Sequence, residues 1–140
     1  MGWSELSGNI WTLPAARSKS NRANVLPLPP AAVELLEQLP RRDDCDGYVF
    51  TTTQGRKPFS GFQASGVQGF TIHDLRRTTR SKLSELGVPW EVARRIVGHS
   101  VDQLDAVYDR LNYLDAKGEA LVRLADHYSA LEGGKLNATI

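Results

Sequence analysis

The sequence has a single cysteine, Cys45, and this scarcity removes two common ways of stabilising a small domain. One thiol cannot form an internal disulfide, and no second thiol or tight His/Cys cluster completes a structural zinc site. A chain without these supports fits a reducing compartment, so we expect a cytoplasmic protein. We expect no metal ion and no other cofactor.

Long hydrophobic runs are also lacking. No apolar stretch approaches the roughly 20 residues that cross a bilayer, and the N-terminus does not have the basic and then apolar order of a signal peptide. We therefore expect no membrane partner and no export. The 140 residues, 41% of them hydrophobic, suffice for one domain with its own core. We assign this domain to residues 1–134 and expect residues 135–140 to form a flexible tail.

A clear excess of positive charge is lacking as well, because the formal net charge is only +1. Proteins that bind phosphate backbones usually have more lysine and arginine than acid, so the total charge says little about a nucleic-acid partner. The distribution is uneven, with an acid-rich segment over residues 102–132 and two basic stretches. The basic residues are Arg17, Lys19 and Arg22 in the first stretch, and Arg76, Arg77, Arg80, Lys82, Arg94 and Arg95 in the second. This asymmetry fits a phosphate-facing surface, and it also fits ordinary solvated helix faces.

Short β-prone runs occur in the first half of the chain. Residues 10–13 and 25–28 predict the two strands of a hairpin, and the polar residues 16–24 predict its loop, which places Lys19 near a turn. Residues 48–52 predict a third strand. Residues 53–69 contain Gly, Ser and Gln without a convincing period and indicate a loop.

Proline, glycine and capping residues mark the predicted helices. Pro29 and Pro30 open a first helix, which ends at Pro40 and has Val33, Leu35, Leu36 and Leu39 as its apolar stripe. Thr71 and Asp74 have the order of a capping box, which predicts a second helix from Ile72 to Leu86 with Gly87 as its left-handed stop.

The rest of the chain is predicted to be helical. Pro89 opens a short helix that turns Val92, Ile96 and Val97 inward and ends at Gly98, just before His99. Further helices are expected over residues 104–111 and 115–131, the last ending before Gly133 and Gly134. The predicted fold class is therefore α+β, mainly helical with a small antiparallel sheet.

Several motifs occur in a specific order. His73-Asp74-Leu75-Arg76-Arg77-Thr78 is followed by Gly98-His99-Ser100 and then by Tyr108. This order resembles the C-terminal half of the tyrosine recombinase signature in phage-type integrases, and such a coincidence of spacing and helix placement is rare by chance. The resemblance extends over nearly the whole chain, through Trp3-Ser4-Glu5-Leu6, Trp11-Thr12-Leu13-Pro14, Ser18-Lys19-Ser20, Tyr108-Asp109-Arg110 and residues 114–119.

The resemblance implies the DNA breaking-rejoining catalytic fold and site-specific DNA recombination or integration through a 3′-phosphotyrosyl intermediate. Its implied partner is double-stranded DNA, on which the intact parent acts as a homo-oligomer, a tetramer. Tyr108 is the implied nucleophile and Lys19 the implied proton donor to the leaving 5′-oxygen. Arg76 is expected to clamp the phosphate, while His73 and His99 hydrogen-bond it and help to manage the tyrosine proton.

The implied roles agree with the chemistry of the residue types. Breaking a phosphodiester without a metal needs a nucleophile, a proton donor and fixed positive donors around the phosphate. A planar guanidinium suits the clamp, and a flexible lysine suits the proton donor. Arg77, Arg80, Arg17 and Arg22 are expected to contact backbone phosphates.

Each assignment has an ordinary alternative. Tyr113 lies close enough in sequence to compete with Tyr108, and a tyrosine on an amphipathic helix commonly packs against a core. A lysine in a hairpin is usually only solvated, His73 has a simple role as a surface residue at a helix start, and Arg76 has Asp74 as a possible ion-pair partner.

The chain departs from the family pattern in one important respect. The family uses two active-site arginines, and the first precedes the strand region with which this sequence opens. We therefore expect a truncated domain that is inactive or impaired alone. One alternative is a non-catalytic integrase remnant with weak DNA-binding or a protein-interaction role. A metal-dependent hydrolase built on His73 and His99 is a poor alternative, because no carboxylates cluster with them in the sequence.

Overall fold

The computed structural model describes residues 1–18, 21–41, 47–51, 53, 55–59, 69, 71–98 and 113–136. These residues form three strands, β1 (Leu6–Ser7), β2 (Ile10–Leu13) and β3 (Asn24–Pro27), and four α-helices, α1 (Pro30–Glu37), α2 (Ile72–Glu85), α3 (Trp90–Ile96) and α4 (Leu114–Leu136). Short 3₁₀ turns, Trp3–Glu5 and Ala15–Arg17, flank the first two strands. The predicted α+β class, mainly helical with a small antiparallel sheet, is confirmed.

The sheet has the order β1-β2-β3 and is antiparallel throughout. Trp11 lies at its centre, paired with Leu6 on one side and Leu26 on the other. The predicted hairpin of β2 and β3 is confirmed, although β3 begins and ends one residue earlier than expected.

The third strand of the sheet was predicted at residues 48–52, and this prediction was wrong. The third strand is β1. Within the described part of that run, Tyr48 forms only an isolated bridge with Gly2. The hydroxyl oxygen of Thr51 accepts hydrogen bonds from the backbone N–H groups of Thr53 and Gly55, at 3.0 and 3.2 Å. Such a side-chain turn folds the backbone back where a strand would have to continue.

Local capping signals placed α2 and α3 correctly. Thr71 and Asp74 form the predicted capping box at the start of α2. Gly87 follows the helix with a φ of 73° and Gly98 follows α3 with a φ of 68°, so both take the left-handed conformation expected of a glycine stop. The predicted helix over residues 104–111 lies outside the described residues.

The last helix is longer than predicted. Helix α4 continues to Leu136, through the two glycines that were expected to end it. Glycine weakens a helix by roughly 1 kcal/mol without preventing helical backbone angles, so it does not by itself end one. Among the described helices, α4 included, none has both the length and the apolar character that crossing a membrane requires.

The core lies where β3, α2, α3 and α4 meet. Its buried members are Leu26, Leu83, Val88, Val92, Ala93, Ile96, Ala120 and Leu124. The inward orientation predicted for Val92 and Ile96 is confirmed, whereas Val97, predicted with them, is only half-buried because it lies at the end of α3. The stripe predicted on α1 is not buried as a whole, since the Leu35 side chain is 65% exposed. Helix α4 lies against β3 at Gly118, where an added Cβ atom would make an ordinary contact of 3.4 Å with the ring of Pro27.

Candidate nucleic-acid interface

The start of α2 fixes the position of the histidine and arginine predicted to bind phosphate. The backbone N–H and the hydroxyl of Thr71 donate to Asp74 Oδ2 at 2.9 and 2.8 Å, and the Asp74 N–H donates back to the Thr71 hydroxyl at 3.3 Å. The two hydrogen bonds that Thr71 donates, led by the one from its hydroxyl, lower the pKa of the Asp74 carboxyl. The negative charge of Asp74 also interacts favourably with the positive N-terminal end of the α2 dipole. The first turn of α2 is therefore well anchored.

His73 and Arg76 are both exposed and lie three residues apart on α2, hence on one face of the helix. The expected alternative for Arg76 was an ion pair with Asp74. It is Arg77 that pairs with Asp74 instead, at 3.6 Å, with 74% of the Arg77 side chain exposed. No acid within the described ranges forms an ion pair with Arg76. Arg76 therefore presents its guanidinium to solvent.

The positive charge on α2 is concentrated in its first half. Arg80 is half-buried one turn beyond Arg76, and after it the surface becomes mixed in charge. Lys82 and Glu85 form an exposed ion pair of 2.6 Å, which raises the pKa of Lys82 and lowers that of Glu85. A shallow hollow of about 300 Å³ follows this mixed side of α2 and is lined by Asp74, Arg77, Thr78, Ser81, Lys82 and Glu85.

The hairpin carries the other predicted basic residues. Arg17 forms an ion pair with Glu5, and its guanidinium carbon lies 5.7 Å from the centre of the Tyr48 ring. Arg22 is half-buried and follows Asn21, a left-handed residue with a φ of 51°. Arg17 therefore has two partners within the protein, although 40% of its side chain is exposed. Lys19 lies outside the described residues.

Tyr113, the competing nucleophile, is packed beneath an arginine at the start of α4. The guanidinium carbon of Arg95 lies 3.9 Å from the centre of the Tyr113 ring. Arg95 also donates from Nη1 to the side chain and the backbone carbonyl of Glu91, at 2.7 and 3.1 Å. The ring of Tyr113 contacts the core as well, so its surroundings are those of a packing residue. Tyr108 and His99 lie outside the described residues.

A second buried cation joins α4 to the sheet. The Lys117 ammonium donates to the Val25 carbonyl at 3.1 Å and to Asn24 Oδ1 at 3.5 Å. Lys117 is 9% exposed and Arg95 is 5% exposed, so both charges are nearly removed from solvent. Buried cations need such partners, because desolvation of an unpaired charge is expensive.

Comparison with known proteins gives one informative similarity. Prophage integrase IntA of Escherichia coli (strain K12) is 26% identical over 148 residues, which cover 98% of this chain and 36% of that protein. This chain is similar to a prophage integrase. It spans about a third of the length of that relative. No protein-family model matches the chain, and no solved structure matches it significantly.

The similarity supports an integrase relationship at the level of the family, in agreement with the motif order. Of the predicted site residues, the structure brings His73, Arg76, Arg77 and Arg80 together on α2, and it places Arg17 and Arg22 at the hairpin. The sequence interpretation missed Glu5, Arg95 and Lys117 as members of polar networks. The spacing of Glu91 and Arg95 is a local signal for their pairing. Lys117 is too far from Asn24 in sequence for any local signal.

Proposed function

We propose that this chain carries part of the strand-exchange site of a tyrosine recombinase, which cleaves and rejoins double-stranded DNA during phage-type integration. The observation that carries the proposal is the exposed His73 and Arg76 pair, held at the capped start of α2 in a chain similar to a prophage integrase. The activity and the tetrameric assembly of a whole integrase are part of this proposal, since the chain spans about a third of its relative.

In the proposed reaction, the Tyr108 oxygen attacks the scissile phosphorus. A tyrosine–phosphorus bond forms while the bond to the 5′-oxygen breaks, and Lys19 supplies the proton that the departing oxygen takes up. Arg76 donates to the non-bridging oxygens as their negative charge grows, while His73 and His99 hydrogen-bond the phosphate and take up the proton that the Tyr108 hydroxyl loses. The covalent bond retains the energy of the broken one, so rejoining is the same step in reverse and needs no ATP.

The surroundings of the candidate residues support these roles. Arg76 has no ion-pair partner within the described ranges, so a phosphate meets no competing acid there. Tyr113 is engaged by Arg95, which favours Tyr108 as the nucleophile. Arg80 lies one turn beyond Arg76, and Arg77 lies next to Arg76 with an exposed side chain; both serve in the proposal as contacts to neighbouring phosphates.

The 140 residues supply one arginine, Arg76, at a position that matches the family motif, whereas the family uses two. Loss of one phosphate-clamping arginine removes charge stabilisation on the scale of about 3 kcal/mol, or a hundredfold or more in rate. We therefore propose that this chain cleaves ordinary DNA poorly. The deficit is one of charge, so a substrate with less charge compensates for it.

The test uses nicked duplexes of randomised sequence that lose a short strand on cleavage and so trap the covalent adduct. One series has an ordinary phosphate at the cleavage position, and the other has a neutral methylphosphonate, which relieves the need for the second arginine. We expect an adduct with the methylphosphonate series and little with the phosphate series. Tyr108→Phe abolishes the adduct, whereas Tyr113→Phe leaves it unchanged. An adduct that survives in Tyr108→Phe rules out the assigned nucleophile.

A non-catalytic integrase remnant with weak DNA binding is the second candidate for these 140 residues, which match one of the family's two arginines. A remnant binds DNA weakly and with strong salt dependence, because a few lysine and arginine contacts supply only counterion release. It forms no adduct with either series of duplexes. Salt-dependent binding without any adduct therefore selects the remnant, and tight binding that is insensitive to salt contradicts both candidates.

A further inference from the structure

The acid beneath the hairpin and the arginine next to its loop form a unit of their own. We propose that Glu5 and Arg17 are positioning residues that hold the loop of the β2–β3 hairpin, and that Arg17 is committed to this anchor instead of to a DNA phosphate. The inference rests on the proposed function only where it names Lys19 as the functional residue of that loop.

Glu5 is the centre of the anchor. Its side chain is only 8% exposed and accepts hydrogen bonds from the Gly2 N–H at 3.0 Å, the Trp11 indole N–H at 3.1 Å and the Arg17 guanidinium. Burial alone raises the pKa of Glu5, but the hydrogen bonds from Gly2 and Trp11 and the charge of Arg17 outweigh it and lower the pKa. Glu5 is therefore an ionised carboxylate whose oxygens already accept hydrogen bonds from groups of the protein.

Arg17 is held on two sides. Glu5 binds one part of the guanidinium, and the Tyr48 ring lies next to it at a distance typical of cation–π contacts. If Arg17 left this position to bind DNA, the nearly buried Glu5 carboxylate would lose its cationic partner. Leaving such a charge unpaired is costly, so the anchor opposes a role for Arg17 as a phosphate contact.

The anchor continues directly into the backbone of the loop. Arg17 is the last residue of the 3₁₀ turn Ala15–Arg17, and the N–H of the next residue, Ser18, donates to the Ala15 carbonyl at 3.0 Å. The Asn21 N–H then donates to the Ser18 carbonyl at 3.0 Å. Ser18 and Asn21, on the two sides of the loop, are thus held by backbone hydrogen bonds. Lys19 follows Ser18 directly in the chain.

Fixing the backbone next to a catalytic lysine matters because its four-carbon side chain has many conformations. A proton donor contributes fully only when it is presented within a few tenths of an ångström of its target. An anchored Ser18 restricts the position of the residue to which Lys19 is covalently attached. In this proposal, Glu5 helps to position the hairpin loop without contacting DNA itself.

The closing experiment measures amide hydrogen exchange by NMR in the full chain. We expect Glu5→Gln and Arg17→Ala each to raise the exchange rates of the Ser18 and Asn21 amides by about tenfold, because each removes a charge-assisted bond. The Leu86 amide, bonded in α2, keeps its rate and reports that the fold is intact. Arg17→Lys retains the charge and restores most of the protection. Glu85→Gln, which breaks the exposed pair with Lys82, is the matched control and leaves the loop amides unchanged.

A DNA-binding measurement separates the two possible roles of Arg17, loop anchor and phosphate contact. If Arg17 is the anchor, Arg17→Ala leaves the slope of log affinity against log salt unchanged for a short duplex. If it is a phosphate contact, that slope falls by about 0.9 and Glu5→Gln strengthens binding, because the arginine is released. Unchanged exchange at Ser18 and Asn21 in both variants overturns the proposal, and so does a reduced slope. A chain that neither binds DNA nor forms an adduct, but whose loop amides respond as expected, refutes the proposed function and retains the anchor.

Discussion

Two pairs of adjacent arginines, Arg76-Arg77 on α2 and Arg94-Arg95 on α3, show how differently the fold uses one residue type. Both members of the α2 pair are exposed, and Arg77 makes only a loose ion pair. On α3, Arg95 is buried between Glu91 and the Tyr113 ring, and Arg94 lies 4.4 Å from the centre of the Trp90 ring. The α2 cations are exposed and, within the described residues, only Arg77 has a loose ion pair, whereas both α3 cations lie against aromatic rings. Basic residues in a sequence stretch therefore do not by themselves define a phosphate-binding surface.

The largest effect expected from this difference concerns stability. Arg95→Ala should lower the free energy of unfolding by about 3 kcal/mol, because it opens a cavity, removes the cation from the Tyr113 ring and deletes the bond to Glu91. Arg76→Ala should change it by less than about 0.5 kcal/mol, as is usual for exposed residues. Urea denaturation followed by circular dichroism measures both values. Equal losses in the two variants would remove the distinction.

Tyr113 provides the next test, from the other side of the same contact. Tyr113→Phe keeps the ring beneath Arg95 and should change the free energy of unfolding by less than about 0.5 kcal/mol, whereas Tyr113→Ala should lower it by about 2 kcal/mol. The same denaturation experiment applies. A loss in the phenylalanine variant as large as in the alanine variant would mean that the hydroxyl, and not the ring, is what the fold requires.

The α2 pair should dominate the salt dependence of DNA binding. Arg76→Ala and Arg77→Ala should each lower the slope of log affinity against log salt by about 0.9, as expected for one phosphate contact. Arg94→Ala is the matched control on α3 and should leave the slope unchanged. Fluorescence anisotropy with a labelled duplex over a range of salt concentrations gives the slopes. An equal effect of Arg94→Ala would mean that the two pairs act alike.

The smallest effect extends the comparison from cations to acids. The pKa of Glu5 is lowered in the folded protein, so its stabilisation is present above the ordinary glutamate value and is lost as the pH falls through the lowered value. At neutral pH, Glu5→Gln should cost about 1 kcal/mol of unfolding free energy. The difference between wild type and variant should shrink as the pH falls below the ordinary glutamate pKa, and it should vanish below the lowered pKa of Glu5. A difference that stays constant down to low pH would show that the charge of Glu5 contributes nothing.

These contrasts also show which parts of the structure the sequence could predict. Helices α2 and α3 follow from local rules, because Thr71, Asp74 and Gly87 act within one turn of the helix end they define. Strand β1 was not predicted, since two residues carry no period and their pairing depends on β2. The separation of Arg76 from Arg95 was also beyond local reasoning. It depends on where Tyr113 lies in the folded chain.

The candidate site was predictable in its residue types and order more than in its contacts. The motif placed His73 and Arg76 on one face of a helix, and they are there. The ion pair between Arg17 and Glu5 was beyond local reasoning, because Glu5 comes close to Arg17 only when β1 and β2 pair. Contact of Arg17 with DNA stays a prediction. The roles of Lys19, His99 and Tyr108 stay predictions and are tested by the adduct experiment.

The bond from Lys117 to the Val25 carbonyl has a consequence for self-association. Strand β3 is the last strand in the order of the described sheet, so its outer backbone groups have no neighbouring strand, and α4 covers this edge with Lys117 as a hydrogen-bond donor. An uncovered edge is a template on which a second chain can add a strand. Detachment of α4 would therefore expose the β3 edge to pairing with other chains, and it would also weaken the packing of the core. Variants that weaken α4 should consequently be lost to aggregation before they are fully unfolded.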